Sequence, residues 1–378
     1  MSEIKVNSIV DASGGSTVQV NGYTPTMSNM AGRNLVINGA MQVAQRGSSV
    51  SVSDGSNEGY QTVDRFQIQL TSTSNVYTFS QDADAPSGFS KSLKVNCTTS
   101  SAVGTATSNR IDYRIEGQDL ALLGFGTSAA KELTLSFWVK SNKTGNSGIW
   151  LQNNSSSVSM GKVYAINSAD TWEQKTITFP ADPVNGFTYD NTSGLLLRFA
   201  IAMGTNYTSG TLDASWTSDV PANRHAGMNV HIGESTSDYI NITGVQLEAG
   251  SVATPFEHRQ YGQELALCQR YYFKWLNNTG SSRYSLGLQA YSSSGAFGKL
   301  LDLPVTMRAT PTCATSGTFQ PINATGSSMT AFSGTSINTP SNQTLSTGAW
   351  TGSSGLVAGN ITTIEVANNA YIEASAEL

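Results

Sequence analysis

Three carboxylates lie close together in the segment IDYRIEGQD. Asp112, Glu116 and Asp119 could cleave a glycosidic bond, because two carboxyl groups at a suitable separation supply the acid and base of that reaction. Arg110 and Arg114 are interleaved with these carboxylates, and this pattern favours solvated ion pairs on a surface segment. We therefore predict no catalytic residue in this segment.

The remaining groups able to do chemistry are sparse. They are His225, His231, His258, Cys97, Cys268 and Cys313. The histidines are too dispersed for a catalytic triad, and the cysteines have neither metal-type spacing nor the even number of a disulfide framework. No nucleophile elbow, zinc-protease motif, P-loop or dinucleotide fingerprint occurs. We predict that the protein is not an enzyme, and we assign no metal-ligating residue and no cofactor; binding of a structural calcium ion is left open.

Aromatic side chains in polar loops suggest the binding of sugars. A sugar is held by flat aromatic faces that stack on its C–H surface and by amides and hydroxyls that bond its hydroxyl groups, with few charges needed. The candidates outside the predicted strands are Trp350, Trp216, Tyr207 and Tyr189. Trp350 is the leading candidate, because the Gly and Ser residues around it provide no core. The alternative for each ring is that it anchors its loop onto the core.

The composition is that of an all-β protein. The chain has 378 residues, of which 12% are charged and 36 are Gly, and Ser and Thr are abundant throughout. The charged fraction is about half the usual value of roughly 25%. A net charge of -5 without a Lys/Arg cluster argues against nucleic acid as a partner. No run approaches the roughly 18 apolar residues of a membrane helix, so no membrane span is predicted.

Residues 33–256 contain repeated strand patterns bounded by turn residues. The predicted strands are 65–70, 92–97, 133–141, 147–152, 174–180, 194–203, 228–233 and 239–248. In LTLSFWVKS the apolar residues alternate with hydroxyls, which indicates a strand with one face in the core. His231 is predicted to be the outward residue of the strand MNVHIG. Eight strands at this spacing predict an antiparallel jelly-roll β-sandwich.

Residues 257–272 are predicted to form a short linking helix. Tyr261, Leu265, Cys268 and Tyr272 follow one another at spacings of four, three and four, which places them on one helical face. This face could pack three copies of the chain around a common axis. It could equally cover the sandwich of its own subunit.

The two ends of the chain are predicted to be separate pieces. Residues 1–32 have a hairpin pattern, with Ile4, Val6 and Ile9 before the turn DASGG. An isolated hairpin is marginally stable in water, so it needs a partner. Residues 273–378 carry further strand patterns, and we predict a small β-sandwich or a trimeric β head there.

Five stretches, in order, carry a family resemblance: RNLVINGAMQVAQRG, YQTVDRF, LSFWVKS, TWEQKTITFP and ITGVQLEAGSVATPFEHRQYGQELALCQRYY. Together they resemble a recurrent module of tailed-bacteriophage virion proteins, described as tail-fibre-like and common in marine phages. The resemblance covers roughly residues 33–273. The start MSEIKVNSIVDASG is similar to the start of fibre and appendage proteins of cyanobacterial phages. The resemblance implies a homotrimeric virion appendage whose jelly-roll module is similar to carbohydrate-binding modules.

The sequence and this resemblance together predict a tail fibre or spike without enzymatic activity. Residues 1–32 would attach it to other virion proteins, of the tail or the capsid, and the C-terminal head would contact host-surface glycans. The protein would be assembled in the host cytoplasm and reside in the virion. The alternative is a purely architectural capsid fibre, decoration or adaptor protein that binds no receptor.

Overall fold

The computed structural model describes residues 32–278, 280–322, 329–332, 334–335, 339–346 and 350–378. The predicted anchor residues Ile4, Val6 and Ile9 lie outside the described residues. The chain divides into two compact units. The sandwich unit comprises the described residues up to Gln42, Ser49–Gln61 and Phe66–Arg259, and the C-terminal unit comprises Val43–Ser48, Thr62–Arg65 and Gln260–Leu378.

The sandwich unit is built from antiparallel strands. They are β1 Ser49–Ser53, β2 Gly59–Tyr60, β3 Phe66–Gln69, β4 Val76–Asp82, β5 Ser92–Thr99, β6 Ser108–Glu116, β7 Leu133–Ser141, β8 Gly145–Asn153, β9 Val158–Ile166, β10 Glu173–Phe179, β11 Ser193–Met203, β12 Thr217–Ser218 and β13 Tyr239–Ala249. The short helix α1 spans Thr205–Thr208, and two 3-10 segments span Gly117–Leu123 and Pro221–Asn223.

Two sheets form a jelly-roll sandwich. The six-stranded sheet has the order β1-β4-β5-β13-β7-β10, and the seven-stranded sheet has the order β12-β9-β8-β11-β6-β3-β2. Their apolar faces meet in a core where Phe137 of β7 packs edge-on against Phe199 of β11, with ring centroids 5.2 Å apart. The alternation of apolar and polar residues in each strand produces this arrangement, because successive side chains point to opposite sheet faces.

The predicted all-β jelly-roll fold is confirmed, and seven of the eight strands predicted in residues 33–256 are present. The prediction of a strand at 228–233 is wrong. The N–H groups of Asn229 and Val230 both donate to the carbonyl of Asn146, at 2.9 and 3.0 Å, so this segment has no ladder of its own. Val230 and Ile232 are buried, and their alternation reflects a loop anchored in the core. His231 is a half-buried loop residue.

The C-terminal unit contains one helix and two sheets in its described part. The helix α2 spans Tyr261–Gln269, and the strands are β14 Tyr272–Leu276, β15 Ser282–Ala290, β16 Gly295–Asp302, β17 Thr312–Ser316, β18 Phe319–Ile322, β19 Gly334–Thr335, β20 Thr339–Pro340, β21 Thr344–Ser346, β22 Trp350–Thr351, β23 Ile361–Val366 and β24 Tyr371–Ser375. One sheet has the order β14-β24-β17, and the larger sheet contains β18-β23-β15-β16-β21-β20 together with β19 and β22.

Residues far apart in sequence complete this unit. Glu377 accepts hydrogen bonds from the guanidinium groups of Arg46, at 3.2 Å, and Arg65. The backbone N–H of Gln45 donates to Oδ1 of the buried Asp64 at 2.9 Å. Val43–Ser48 and Thr62–Arg65 therefore belong to the same core as the last strands of the chain.

The short helix is present, but its predicted face is wrong in part. The helix has nine residues and ends before Tyr272, which lies in β14. Tyr261 is 57% exposed, whereas Cys268 is fully buried. Leu265 is half-buried and Glu264 is buried. The helix is too short for the four predicted residues to form one apolar stripe.

Candidate functional site

The two tryptophans predicted to bind sugar are core residues. Trp350 is 1% exposed and packs edge-on against Phe319 and Phe332, with ring centroids 5.0 and 5.2 Å away. Trp216 is also buried, packs against Phe125, and donates its Nε1–H to the carbonyl of Pro180 at 2.8 Å. Neither indole offers a face to a sugar, so the prediction for these two residues is corrected. Both residues anchor their loops onto the core, which is the alternative given for them above.

The two predicted tyrosines lie in different surroundings. Tyr189 is 52% exposed, in the loop between β10 and β11. Tyr207 lies in α1 and is half-buried, and the guanidinium carbon of Arg224 is 5.7 Å from the centroid of its ring. Tyr207 thus belongs to a cluster of arginines on the sandwich, described below, whereas Tyr189 is an isolated exposed ring.

The hairpin of β15 and β16 carries two exposed aromatic rings, which we name the aromatic pair. Tyr291 is 46% exposed and Phe297 is 47% exposed. Their ring centroids lie 6.0 Å apart with an interplanar angle of 39°. Phe297 is paired with Gln289, and the N–H of Tyr291 donates to the carbonyl of Gly295 at 3.0 Å. Both rings therefore lie on one face of the hairpin.

Gly295 gives the aromatic pair its geometry. A Cβ at this position would lie 2.4 Å from Cζ of Tyr291, so the tyrosine ring lies directly over the glycine. On the opposite face of the hairpin, Ala290 and Ala296 are buried in the core of the unit. The core therefore holds the hairpin from one side while the pair remains open to solvent on the other.

Polar groups surround the aromatic pair. Ser293 and Ser294 at the turn are exposed. The exposed Gln289 donates its Nε2–H to the carbonyl of Gly359 at 3.2 Å, and its Oε1 makes no hydrogen bond within the described part of the chain. Flat rings flanked by an amide and hydroxyls are the groups that bind the C–H face and the hydroxyls of a sugar.

The sequence prediction missed the aromatic pair because residues 273–378 carry strand patterns, and an aromatic ring in a strand is usually a core residue. A usable signal was the segment AYSSSGAF. Small Ala residues face the core there, and the larger aromatic residues are one position out of phase with them.

A second polar surface lies on the outer face of the seven-stranded sheet. Cross-strand pairing aligns five residues across β3, β6, β11, β8 and β9, in the order Gln67, Asp112, Arg198, Trp150 and Gly161. Neighbouring strands lie about 4.8 Å apart, so the row spans roughly 19 Å. Its side chains are buried.

The row corrects the prediction of solvated ion pairs in IDYRIEGQD. Asp112 is buried and accepts two hydrogen bonds from Arg198, at 2.7 Å from Nε and 3.0 Å from Nη2. Glu116 is buried as well, whereas Asp119 is exposed. The segment is an inner strand of the sheet and not a surface segment.

A loop from α1 to the residues after Pro221–Asn223 covers one end of this row. A Cβ on Gly161 would lie 2.1 Å from the carbonyl oxygen of Arg224, and a Cβ on Gly148 would lie 2.6 Å from Nδ1 of His225. The guanidinium carbons of Arg198 and Arg224 lie 4.7 and 4.8 Å from the centroid of the Trp150 ring. Two glycines thus admit a loop that brings a second arginine to Trp150.

Three arginine charges act on His225 at this surface. His225 is buried, and its pKa is held well below the usual value by burial and by the charges of Arg198, Arg224 and Arg110. Burial and the charge of Arg198 lower the pKa of Arg110. A neutral His225 in this position leaves the arginines as the charged donors of the surface.

Two further findings concern the described residues taken together. No helix among the described residues is long and apolar enough to cross a membrane. The described side chains contain no group of three or more His, Cys, Asp or Glu residues that could hold a metal ion.

The fold and these surfaces define an all-β protein with a jelly-roll sandwich, and solved sandwich structures are similar to it at low sequence identity. The enzymatically active domain of tailspike protein 4 of bacteriophage CBA120 is 14% identical with a TM-score of 0.30, and the match covers 57% of this chain and 21% of that chain. The chain therefore spans about a fifth of that tailspike structure.

Two sugar-binding domains are similar in the same way. The N-terminal cellulose-binding domain of β-1,4-glucanase C from Cellulomonas fimi is 11% identical, with a TM-score of 0.27 and coverage of 56% of this chain and 100% of that one. A family 11 carbohydrate-binding module from Clostridium thermocellum, in complex with a mixed-linked tetrasaccharide, is 12% identical, with a TM-score of 0.27 and coverage of 55% and 98%. No protein-family model and no curated protein matches the sequence.

Proposed function

We propose that the protein binds glycans through the aromatic pair of its C-terminal unit and has no enzymatic activity. The observation that carries this proposal is the exposure of Tyr291 and Phe297 side by side, 6.0 Å apart, on a face that the hairpin turns away from its core. Two adjacent exposed rings form a contiguous apolar patch, and such patches mark binding sites.

The expected ligand is a pyranose ring with a continuous C–H face. Covering the exposed part of each ring would contribute about 1–2 kcal/mol, and hydrogen bonds to Gln289 and to serine hydroxyls would fix the orientation of the sugar. Affinities in the millimolar to micromolar range follow from such small areas. Several copies acting on one surface would raise the apparent affinity by avidity.

The wider proposal is a virion appendage, either a tail fibre or a spike. It is supported by the five sequence stretches that resemble tailed-phage virion proteins, and it includes a homotrimer, attachment of residues 1–32 to other virion proteins, and contact with host-surface glycans. The virion would be the place where the protein acts. An architectural fibre without receptor binding is the competing function.

Glycan-array binding and adsorption to whole cells test the proposal with the full-length protein. Tyr291→Ala and Phe297→Ala should each reduce binding at least about tenfold, because each removes one stacking face. Leu276→Ala is the matched control, since Leu276 is an exposed apolar residue of the same unit. Tyr189→Ala tests the remaining exposed candidate in the sandwich unit.

The outcomes separate the functions clearly. Loss of binding in the Tyr291 and Phe297 variants, with binding kept by Leu276→Ala, supports the proposal. Equal binding by all variants would place the glycan site elsewhere, and no binding by the wild-type protein would favour the architectural function. Release of oligosaccharide from host envelope would contradict the absence of enzymatic activity. Sedimentation of the full-length protein measures the proposed trimer.

A further inference from the structure

Three arginines meet on the outer face of the seven-stranded sheet with two carboxylates between them. Arg198 forms a two-bond pair with Asp112, and Arg224 forms a two-bond pair with Asp219. Arg110 lies 3.4 Å from the Asp112 carboxylate through Nε. The three guanidinium charges exceed the two carboxylate charges, so this cluster has a net charge of +1, within a chain whose net charge is -5.

Each of these arginines leaves one terminal nitrogen unused. Within the described residues, no hydrogen bond is made by Nη1 of Arg198, which uses Nε and Nη2 for Asp112, or by Nη1 of Arg224, which uses Nε and Nη2 for Asp219. Arg110 bonds Ser108 and Thr71 through Nη1, and its Nη2 has no acceptor in the same part of the chain. A guanidinium nitrogen without an acceptor is a strong donor toward an anionic oxygen.

The unused nitrogens are accessible. None of them is among the polar atoms that are shielded from solvent without a partner. The Arg110 and Arg224 side chains are 18% and 20% exposed. Tyr207 lies at the same place, its ring beside Arg224, and its hydroxyl makes no hydrogen bond to any described residue. Arginine donors that solvent reaches, beside an unpaired tyrosine hydroxyl, are suited to hold a small charged group.

Two further donors in the row of paired residues have no acceptor. The Nε1–H of Trp150 and the Nε2–H of Gln67 are shielded from solvent and have no hydrogen-bond partner in the described structure. Buried donors without partners are rare, and each has a destabilising effect unless an acceptor reaches it. At Gln67 and Trp150, the row therefore carries donors that no described acceptor satisfies.

We propose that Arg110, Arg198, Arg224 and Tyr207 form a second binding site, which takes the oxyanion of an acidic saccharide, a uronate carboxylate or a sulfate ester. Guanidinium groups bind such oxyanions through paired, planar hydrogen bonds. Arg114 and Glu116, farther along β6 on the same face, add one charge of each sign and leave the balance unchanged. The choice of a saccharide as the carrier of the oxyanion rests on the proposed glycan-binding function, whereas the oxyanion chemistry depends on the arginines alone.

Binding of three defined polysaccharides to the full-length protein tests this site. Polygalacturonate supplies carboxylates, dextran sulfate supplies sulfate esters, and dextran supplies neither. The protein should bind at least one of the two acidic polymers and not dextran through this site, and the affinity should fall with rising NaCl concentration because the contact is ionic. Arg110→Gln and the double variant with Arg224→Gln should weaken it at least about tenfold.

The controls separate this site from general charge and from the aromatic pair. Lys131→Gln removes one exposed positive charge from the same unit and should leave the affinity unchanged. Arg110→Gln keeps both two-bond pairs intact, so it should fold normally even if Arg224→Gln does not, and thermal melting verifies this. Tyr291→Ala should bind acidic polymers as the wild-type protein does, although it loses binding on the glycan array.

Three outcomes would overturn the inference. They are the absence of binding to both acidic polymers, unchanged affinity in Arg110→Gln and the double variant, and an equal loss in Lys131→Gln. Absence of binding to the acidic polymers would not contradict glycan binding by the aromatic pair, because that binding is measured with other glycans and other variants. Preference for polygalacturonate or for dextran sulfate would identify the anionic group.

Discussion

The outer face of the seven-stranded sheet buries charged residues, whereas the hairpin of β15 and β16 exposes aromatic residues. On the seven-stranded sheet, charged groups such as Asp112 and Arg198 are buried, and the aromatic Trp150 lies beneath arginines. On the C-terminal hairpin, the aromatic Tyr291 and Phe297 are exposed and the residues facing inward are alanines. Neither surface follows the usual preference of its residue types. On the sheet, carboxylates pair with the buried arginines. On the hairpin, Gly295 leaves room for the Tyr291 ring.

The largest effect should come from breaking the buried charge pair of the sandwich. Asp112→Ala leaves the Arg198 guanidinium buried without its partner. Removing one member of a buried pair costs about 3–5 kcal/mol. Urea denaturation, followed by a probe in the sandwich unit, should show this loss. A loss below about 1 kcal/mol would show that the buried pair of Asp112 and Arg198 does not stabilise the sandwich.

A core aromatic ring and an exposed aromatic ring of the C-terminal unit should differ strongly in their effect on stability. Trp350→Ala removes a ring packed against Phe319 and Phe332 and should cost about 3 kcal/mol or more. Tyr291→Ala removes an exposed ring and should change the free energy of unfolding by about 0.5 kcal/mol. Thermal melting of both variants measures the contrast. Equal losses would show that Tyr291 is a packing residue.

A buried carboxylate in the C-terminal unit should make its stability depend on pH. Burial raises the pKa of Asp64 from 3.8 to about 6, against the hydrogen bonds from Gln45 and the charge of Arg46. The folded state therefore binds the proton more tightly than the unfolded state. The contribution of Asp64 to stability is greatest below about pH 4, falls as the pH rises to about 6, and amounts to about 2–3 kcal/mol.

Asp64→Asn should remove this dependence. The measurement is the difference between the wild-type and variant free energies of unfolding, because lowered pKa values elsewhere, such as that of Glu173 at about 2, have the opposite sign. Carboxylates of that kind stabilise the protein above their unfolded pKa and lose this effect as the pH falls. A wild-type minus variant difference that does not change with pH would contradict the prediction.

The smallest change in stability should come from Gly295→Ala. The added methyl group would meet the far end of the Tyr291 side chain, which can rotate away, so the free energy of unfolding should change by less than about 1 kcal/mol. The aromatic pair should separate nevertheless, and glycan binding should fall. Ring-to-ring nuclear Overhauser effects between Tyr291 and Phe297 report the separation. Unchanged effects and unchanged binding would show that Gly295 does not position the ring.

The sequence predicted most of the sandwich because its strands alternate strongly. The segment 133–141 was predicted with its observed bounds, Leu133–Ser141. The strands Val76–Asp82 and Val158–Ile166 were missed because polar residues and glycine interrupt their apolar pattern. The segment 228–233 alternates as a strand does, but its N–H groups bond a single carbonyl, and such a three-dimensional constraint leaves no trace in periodicity.

For the binding surfaces, the sequence predicts the kind of chemistry but not the residues that provide it. A stacking site for sugars follows from the composition, but solvent exposure of a given ring depends on what packs over it. Trp350 has Gly and Ser neighbours in sequence, and its core partners, Phe319 and Phe332, come from elsewhere in the chain. In the same way, the sequence predicts that Asp112 is a surface carboxylate, because only the fold shows that β11 places Arg198 beside it.

The discontinuous composition of the C-terminal unit has a consequence for its assembly. Arg65 and its partner Glu377 are separated by 312 positions in sequence. During synthesis, Val43–Ser48 and Thr62–Arg65 emerge long before the strands that they join, and loops of this length close slowly. The strands of the sandwich can thus pair before Val43–Ser48 and Thr62–Arg65 reach the C-terminal residues that complete their unit. A contiguous fragment of the late residues would lack both segments, so only the longer polypeptide can bring this unit to its final form.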